Sequence, residues 1–419
     1  GDRVLCRTTK NLDAVALYLA CLQIGAIYVP VNPSYTLGET KHFVKDCTPK
    51  LMVTCTEEKD SALRELVTNI VNEKKLSVES KNATAELHFE NVENDDVACI
   101  CYTSGTTGVP KGVMLTHGSL STNAEALVDT WRFTKDDRLL HMLPFYHVHG
   151  MFISLSCSLF SHSTVLWREH FSVENCLKWL PSTTVMMGVP TYYSRLISTP
   201  EFNRGLLSQL RLFVCGSAPL STPLWVEFKS RAGHSILERY GMTEAQVICS
   251  NPYDDRRPGS VGKPIADTKL RINREGVIEI KSSSLFAGYW NDPVKTLEEF
   301  TVDKYFITGD LGLVDEDGFL HILGRKKDLV ITGGFNVYPK EVEDCIDHLP
   351  DVEESAVIGM SSVAQVTEDH FYLSVLGVPH KDLGEVVVAV VHSKSSASQE
   401  ENEQAIIWAL RKVLAEYKV

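Results

Sequence analysis

The sequence predicts an α/β protein: a large N-terminal region of helix-covered mixed β-sheets, with a small β unit after it. Three observations lead there. Gly1 to Thr56 alternates strand, helix, strand, helix, strand, and such alternation implies a parallel sheet covered on both faces. Val97 to Ile100 reads as a buried strand that passes through a polar tip into a second short strand, Gly112 to Leu115. Asp254 to Leu313 breaks into short strands and turns, among them Asn273-Arg-Glu-Gly, with Asp315-Glu-Asp-Gly just beyond.

Each element has a local reason. Asn11 to Leu22 carries apolar residues at helical spacing, with Asn11 or Asp13 as its cap. Ala26 to Val31 is a strand, Thr36 to Asp46 a helix and Leu51 to Cys55 a buried strand. Glu57 to Asp95 is polar and carries little pattern, and its Asn82-Ala83-Thr84 glycosylation match is without meaning inside a cell. Ser119 to Asp129 is a helix. Met151 to Trp167 is too interrupted by serines to span a membrane and reads as a core helix followed by a strand. Thr184 to Ile197 is a strand entering a helix near Thr191, Leu212 to Leu220 runs from strand to loop, and Thr222 to Ala232 is a helix.

The 419 residues are too many for one ordinary core, and roughly two or three domains are expected. A net charge of -13 argues against nucleic acid or an anionic membrane as partner. The 11 cysteines lack metal spacing and read as reduced thiols of an intracellular protein; Cys99 and Cys101 point the same way from one strand. The chain opens at Gly1-Asp2-Arg3-Val4 without Met and reads as trimmed at its start.

The richest stretch is Cys101 to His117. Thr103, Ser104, Gly105, Thr106, Thr107 and Gly108 are small, hydroxylated or without Cβ, so backbone N–H groups and hydroxyls can close on phosphate oxygens. Lys111 adds a mobile cation. The Walker register fails, because Lys111 stands between Pro110 and Gly112. A second string, Ile-Leu-Glu238-Arg239-Tyr240-Gly241-Met242-Thr243-Glu244, brings a ring that can stack on a base, a hydroxyl, and in Glu244 a hard oxygen ligand for Mg²⁺. His141, His147 and His149 invite a metal reading, with His147 and His149 on one strand face, but no carboxylate or thiolate stands near to close such a site.

The run Tyr-Thr-Ser-Gly-Thr-Thr-Gly-x-Pro-Lys-Gly, together with Glu238 to Glu244, resembles the adenylate-forming enzymes: acyl-CoA synthetases, luciferases and peptide-synthetase adenylation domains. The resemblance implies ATP, Mg²⁺ and coenzyme A as cofactors. It implies that Thr103 to Gly108 and Lys111 cradle the phosphates, Tyr240 stacks on adenine, Thr243 meets the α-phosphate and Glu244 holds Mg²⁺. It adds Ser217, Ala218, Pro219, Glu238, Arg239, Gly241 and Met242 to the nucleotide site, and Asp310 and Arg325 to the ribose. Lys111, Thr243 and Glu244 are thereby the catalytic set. It also implies two domains, 1–323 (with 254–323 a small β subdomain) and a small, mobile α+β domain, 324–419. Lys327 would be the hinge, and Gly333 and Gly334 would line the entry of pantetheine.

Within that family the similarity is strongest to the malonyl-CoA synthetases, through His147-Val-His149-Gly150, Met187-Gly-Val-Pro-Thr-Tyr-Tyr-Ser-Arg195 and Gly216-Ser-Ala-Pro-Leu. A dicarboxylate leaves its second carboxylate in the pocket, and a buried carboxylate needs a fixed cation. The resemblance gives that role to Arg195, with Ser217 and His149 beside it. The implied partners are malonate or methylmalonate, ATP and CoA, in the mitochondrial matrix or the cytosol. The alternatives are a medium- or long-chain acyl-CoA synthetase, or a nucleotide-binding pseudoenzyme. Two departures from the family stand out. Residues 360–377 interrupt its pattern, and the lysine segment expected near the family's C-terminus has no match up to Val419.

Overall fold

A computed structural model describes residues 1–56, 61–85, 88–103, 110–332, 335–360, 386–393, 399–415 and 418–419. The chain begins β1 (Arg3–Arg7), α1 (Leu12–Gln23), β2 (Ile27–Pro30), α2 (Leu37–Cys47), β3 (Leu51–Thr54). Asn11 caps α1 by accepting from the Ala14 N–H, and Thr36 with Glu39 forms a capping box on α2. β1 lies between β2 and β3, parallel to both. Among the described residues, the polar stretch that showed little pattern holds a 3-10 turn (Ser61–Leu63), β4 (Ile70–Asn72) and α3 (Glu73–Asn82). Asn72 ends β4 and caps α3. β5 (Val97–Thr103) extends the sheet in parallel, and β6 (Lys111–Thr116) turns back antiparallel, so the sheet is mixed as expected. The Sγ atoms of Cys99 and Cys101 lie 3.7 Å apart on one face of β5.

After α4 (His117–Thr130) the second sheet is built from β7 (Arg138–His141), α5 (Ser156–Ser161), β8 (Thr164–Trp167), α6 (Val173–Trp179), β9 (Val185–Gly188), α7 (Pro190–Ile197), β10 (Leu212–Cys215), α8 (Thr222–Ala232), β11 (Ile236–Met242), β12 (Gln246–Ser250) and β13 (Lys263–Pro264). Its seven strands run β13-β12-β11-β10-β9-β7-β8. Both large sheets give side chains to one core, in which Tyr28, Cys99 and Val113 of the first meet Leu139, Val185 and Leu237 of the second. Trp131 is fully buried there, and its indole N–H donates to Ser250 Oγ at 2.9 Å. His149 to Leu155 is a π-helical turn running into α5, so the strand face expected to carry His147 and His149 is absent. No helix among the described residues is long and apolar enough to cross a membrane.

The small β unit is a four-stranded antiparallel sheet of β14 (Lys269–Ile272), β15 (Val277–Lys281), β17 (Phe306–Val314) and β18 (Leu320–Arg325). The expected turns are present, with Gly276 and Gly318 at φ +81 and +82, where only glycine is unstrained. Between them β16 (Gly288–Tyr289) leaves this unit and pairs with β6 at the edge of the first sheet, before α9 (Pro293–Glu298). Beyond β18 come β19 (Val330–Thr332), β20 (Phe335–Val337), α10 (Pro339–Asp347), β21 (Val352–Met360), β22 (Val386–Ser393) and α11 (Gln399–Leu410). Their apolar side chains, among them Val337, Val342, Ile346, Val391 and Leu410, form a cluster of their own. Apart from Met360, which ends β21, the unusual 360–377 stretch lies outside the described residues.

Candidate active site

Thr103 ends β5 and Lys111 begins β6, and the two are register partners at the mouth of the expected phosphate loop. Ser104, Gly105, Thr106, Thr107 and Gly108 lie outside the described residues. β16 seats directly on this hairpin: the Trp290 N–H donates to Gly112 O at 2.7 Å, and a Cβ on Gly112 would meet Ile100 at 2.8 Å and Trp290 at 3.1 Å. Tyr289 is thereby brought under Lys111, whose Nζ lies 5.2 Å from the ring centroid.

The β11–β12 hairpin delivers the second string. Gly241 is required by the chain itself, because a Cβ there would sit 1.8 Å from Gln246 O. The Tyr240 hydroxyl donates to Asp310 Oδ2, and Arg325 Nε pairs with Asp310 Oδ1 at 2.8 Å. Three residues assigned separately to the nucleotide thus form one network. Burial pushes the Asp310 carboxyl up, and the Arg325 guanidinium and the Tyr240 hydroxyl partly offset this. Thr243 is half-buried in the turn. Glu244 is buried, and its Oε1 accepts from the Tyr289 hydroxyl at 3.0 Å. Among the described residues Tyr289 is the side-chain partner of this carboxyl, and its own backbone N–H acts on it as well. Burial raises this carboxyl too. A buried carboxylate with a single side-chain hydrogen-bond partner fits a hard divalent cation such as Mg²⁺. No group of three or more His, Cys, Asp or Glu among the described residues forms a metal cluster.

On the other side of β11 the side chains alternate. Arg239 is 5% exposed, and its guanidinium packs where a Cβ of Gly216 would be, 2.3 Å from Nε. Burial pulls Arg239 down to about 10, so it keeps its charge at neutral pH. Arg239 Nη2 donates to Ser217 Oγ at 3.3 Å, and Ser217 Oγ lies 3.1 Å from His149 Nδ1. Ser217 holds φ +70, a strained value for a residue with a Cβ. Burial and the Arg239 charge hold His149 well below its ordinary pKa, so it is neutral. Ser217 accepts from Arg239 and can give its own proton to Nδ1; in that tautomer the His149 proton is on Nε2. Arg239 Nε and, in that tautomer, His149 Nε2 are two buried N–H donors without an acceptor among the described residues. Ala218 and Pro219 continue the loop, exposed. Glu238, on the opposite face from Arg239, is buried and pushed up to about 8 by burial, against the opposing effects of the Gly259 N–H and Lys340.

Arg195 departs from expectation. The resemblance makes it the fixed cation of a buried pocket, but its side chain is exposed, and among the described residues the guanidinium has no hydrogen-bond or ion-pair partner. The cause is helical geometry. Tyr193, Leu196 and Ile197 form the buried face of α7, and Arg195 lies about 200° round from Tyr193. Its charge still acts on the neighbouring Tyr192 hydroxyl. Lys327 is exposed on the turn that follows β18, next to Gly324, whose φ of +135 suits glycine alone. Gly333 and Gly334 lie outside the described residues.

Two features had no signal in the sequence. One is Tyr289. The other is a cavity of about 340 Å³ lined by Lys10, Tyr146, His170, Phe171 and Tyr192 among others. Lys10 Nζ donates there to the carbonyls of His141 and Arg168, and burial pulls its ammonium down to about 7.

The geometry joins a nucleotide-type network to a metal-type carboxylate, and a family model described as AMP-binding enzyme matches residues 1–290. The chain belongs to the AMP-binding enzyme family. Within that family the malonate–CoA ligase of Arabidopsis thaliana is 34% identical, covering 97% of this chain and 70% of its own length. The mitochondrial malonate–CoA ligase of Homo sapiens is 31% identical, covering 100% of this chain and 78% of its own. The crystal structure of ATP-bound MatB from Rhodopseudomonas palustris matches with a TM-score of 0.91 at 41% identity, covering 100% of this chain and 83% of that one. The α/β class read from the sequence is the class of this fold.

Proposed function

We propose that this enzyme ligates malonate or methylmalonate to coenzyme A through an acyl-adenylate, releasing pyrophosphate and then AMP. ATP-dependent activation of an acid as its adenylate and transfer to a thiol is the chemistry of the acid–thiol ligases in its family. The finer reading, a dicarboxylate, rests on the two unpaired donors, Arg239 Nε and His149 Nε2, on either side of Ser217. Buried donors without acceptors are costly, and a carboxylate satisfies two at once beside a guanidinium. The relatives named malonate–CoA ligase support the same reading.

The chemistry follows from the problem the substrate poses. A carboxylate is a poor electrophile, because its leaving group would be oxide. Attack of one carboxylate on the α-phosphate of ATP installs AMP as a leaving group of low basicity. Most of the catalysis is then alignment and charge neutralisation. Tyr240, Asp310 and Arg325 would hold the nucleoside. Ser217 to Pro219, Glu238, Gly241 and Met242 would wall its site. Thr103, Lys111 and Thr243 would face the phosphates. Glu244 would hold Mg²⁺, which supplies charge neutralisation on the polyphosphate. Arg239, His149 and Ser217 would take the distal carboxylate, with Arg195 at the rim. In the second half-reaction the CoA thiol attacks the acyl carbon and expels AMP. Gly324 and Lys327 are the proposed pivot of residues 324–419 for that step.

One observation favours a second reading. The exposure of Arg195 leaves room for a monocarboxylate with an apolar tail. Arg239→Leu distinguishes the two. Under the dicarboxylate reading kcat/KM for malonate falls by roughly 30-fold or more, while butyrate is little affected, and Arg239→Lys restores part of the loss. Equal losses on both acids would contradict it. The proposed compartment is intracellular, which the free cysteines fit, with the mitochondrial matrix favoured by the relative from Homo sapiens.

A further inference from the structure

Tyr289 occupies a position that no catalytic motif explains. It lies on a strand of two residues, β16, yet its placement is fixed from several sides. β16 pairs with β6 through Tyr289 and Val113, and the Tyr289 N–H donates to Thr296 Oγ1 at 2.8 Å. Gly288 holds φ +139, and a Cβ there would meet Thr296 at 2.9 Å, so the turn that aims Tyr289 admits glycine only. The Tyr289 side chain is 6% exposed. Its two functional surfaces point at two different charged groups. The hydroxyl donates to Glu244 Oε1 at 3.0 Å, and the ring face lies 5.2 Å from Lys111 Nζ. The Glu244 backbone is tied to the same segment, since the Phe286 N–H donates to Glu244 O at 2.7 Å.

We propose that Tyr289 is a positioning residue that registers the metal-binding carboxylate Glu244 against the phosphate-loop cation Lys111. The hydroxyl engages one carboxylate oxygen and turns the other toward the cation. The ring limits where the Lys111 ammonium can rest before a polyphosphate arrives. The two charges come from separate hairpins, β5–β6 and β11–β12, and β16 bridges them through one aromatic side chain. This rests on the reading of Glu244 as the Mg²⁺ ligand.

The test uses Mn²⁺ as the probe, with electron paramagnetic resonance counting bound metal in the presence of a non-hydrolysable ATP analogue, so no turnover is required. Tyr289→Phe keeps the ring and loses the hydroxyl, and the half-saturating Mn²⁺ concentration should rise about tenfold. The affinity of the analogue without metal should stay within about twofold of wild type, a split that general loosening of the fold would not give. Tyr289→Leu removes the ring as well, and should weaken the metal-free analogue by about threefold in addition. Wild type that takes up Mn²⁺ saturably, with Tyr289→Phe indistinguishable from it, overturns this inference and leaves the reading of Glu244 intact. Wild type that fails to take up Mn²⁺ overturns both.

Discussion

The two halves of the site are built differently. On the proposed nucleotide side several charged groups already have partners within the protein, Asp310 with Tyr240 and Arg325 and Glu244 with Tyr289, although Glu238 Oε1 is buried without one among the described residues. On the proposed acid side two donors lack them among the described residues: Arg239 Nε and His149 Nε2 are buried and unpaired, and the Arg195 side chain stands exposed. Pre-paired groups hold their geometry before substrate binds, which suits a nucleotide that every turnover shares. Unpaired buried donors are satisfied by one shape of acid and penalise the rest, which suits selection among substrates.

This contrast can be broken from either end. The largest effect is expected at Asp310. Asp310→Asn removes the charge that joins Tyr240 to Arg325, and KM for ATP should rise by roughly 10- to 100-fold, with the preference among acids unchanged. Steady-state kinetics with ATP varied at saturating acid would read this, and an altered acid preference would show that the halves are not separate. Arg195→Leu should act in the opposite sense. Malonate use should fall by about tenfold with KM for ATP unchanged, and the thermal midpoint should barely move because the side chain is exposed. An unchanged malonate-to-butyrate ratio would remove Arg195 from the rim.

The smallest and most specific effect concerns pH. Burial pushes the Glu238 carboxyl up to about 8, so the folded protein holds a proton that the unfolded chain releases near the ordinary value. Between those two values the native state binds more protons. Its stability therefore declines as pH rises from about 4.5 to about 8, by at most about 1.4 kcal/mol per pH unit. Glu238→Gln should flatten that slope, and thermal midpoints of both proteins across the window would show it. Parallel slopes would mean that Glu238 is ionised in the fold.

The strings proposed for the nucleotide side were legible because each is contiguous, and Thr103, Lys111 and Tyr240 stand at or near strand ends. The elements around them were legible for the same reason, as with Asn11 and Thr36 at helix starts. Three features that the strings did not show have physical causes. The resemblance sets Arg239 in the nucleotide string, and strand alternation turns its side chain toward Ser217, of the same expected site, and toward His149. Arg195 was placed in a buried pocket although the spacing of Tyr193, Leu196 and Ile197 puts it on the opposite helix face. Tyr289 was invisible because a two-residue strand has no periodicity, and its partners come from hairpins distant in sequence. Strings are read locally, and contacts made across the fold are not.

The most direct measurement is the acid dependence of ATP–pyrophosphate exchange, with radiolabelled pyrophosphate and either malonate, butyrate or no acid. The account predicts exchange that requires an acid and runs at least about tenfold faster with malonate than with butyrate at equal subsaturating concentration, because only malonate satisfies Arg239 and His149. Exchange that butyrate supports as well as malonate would contradict it.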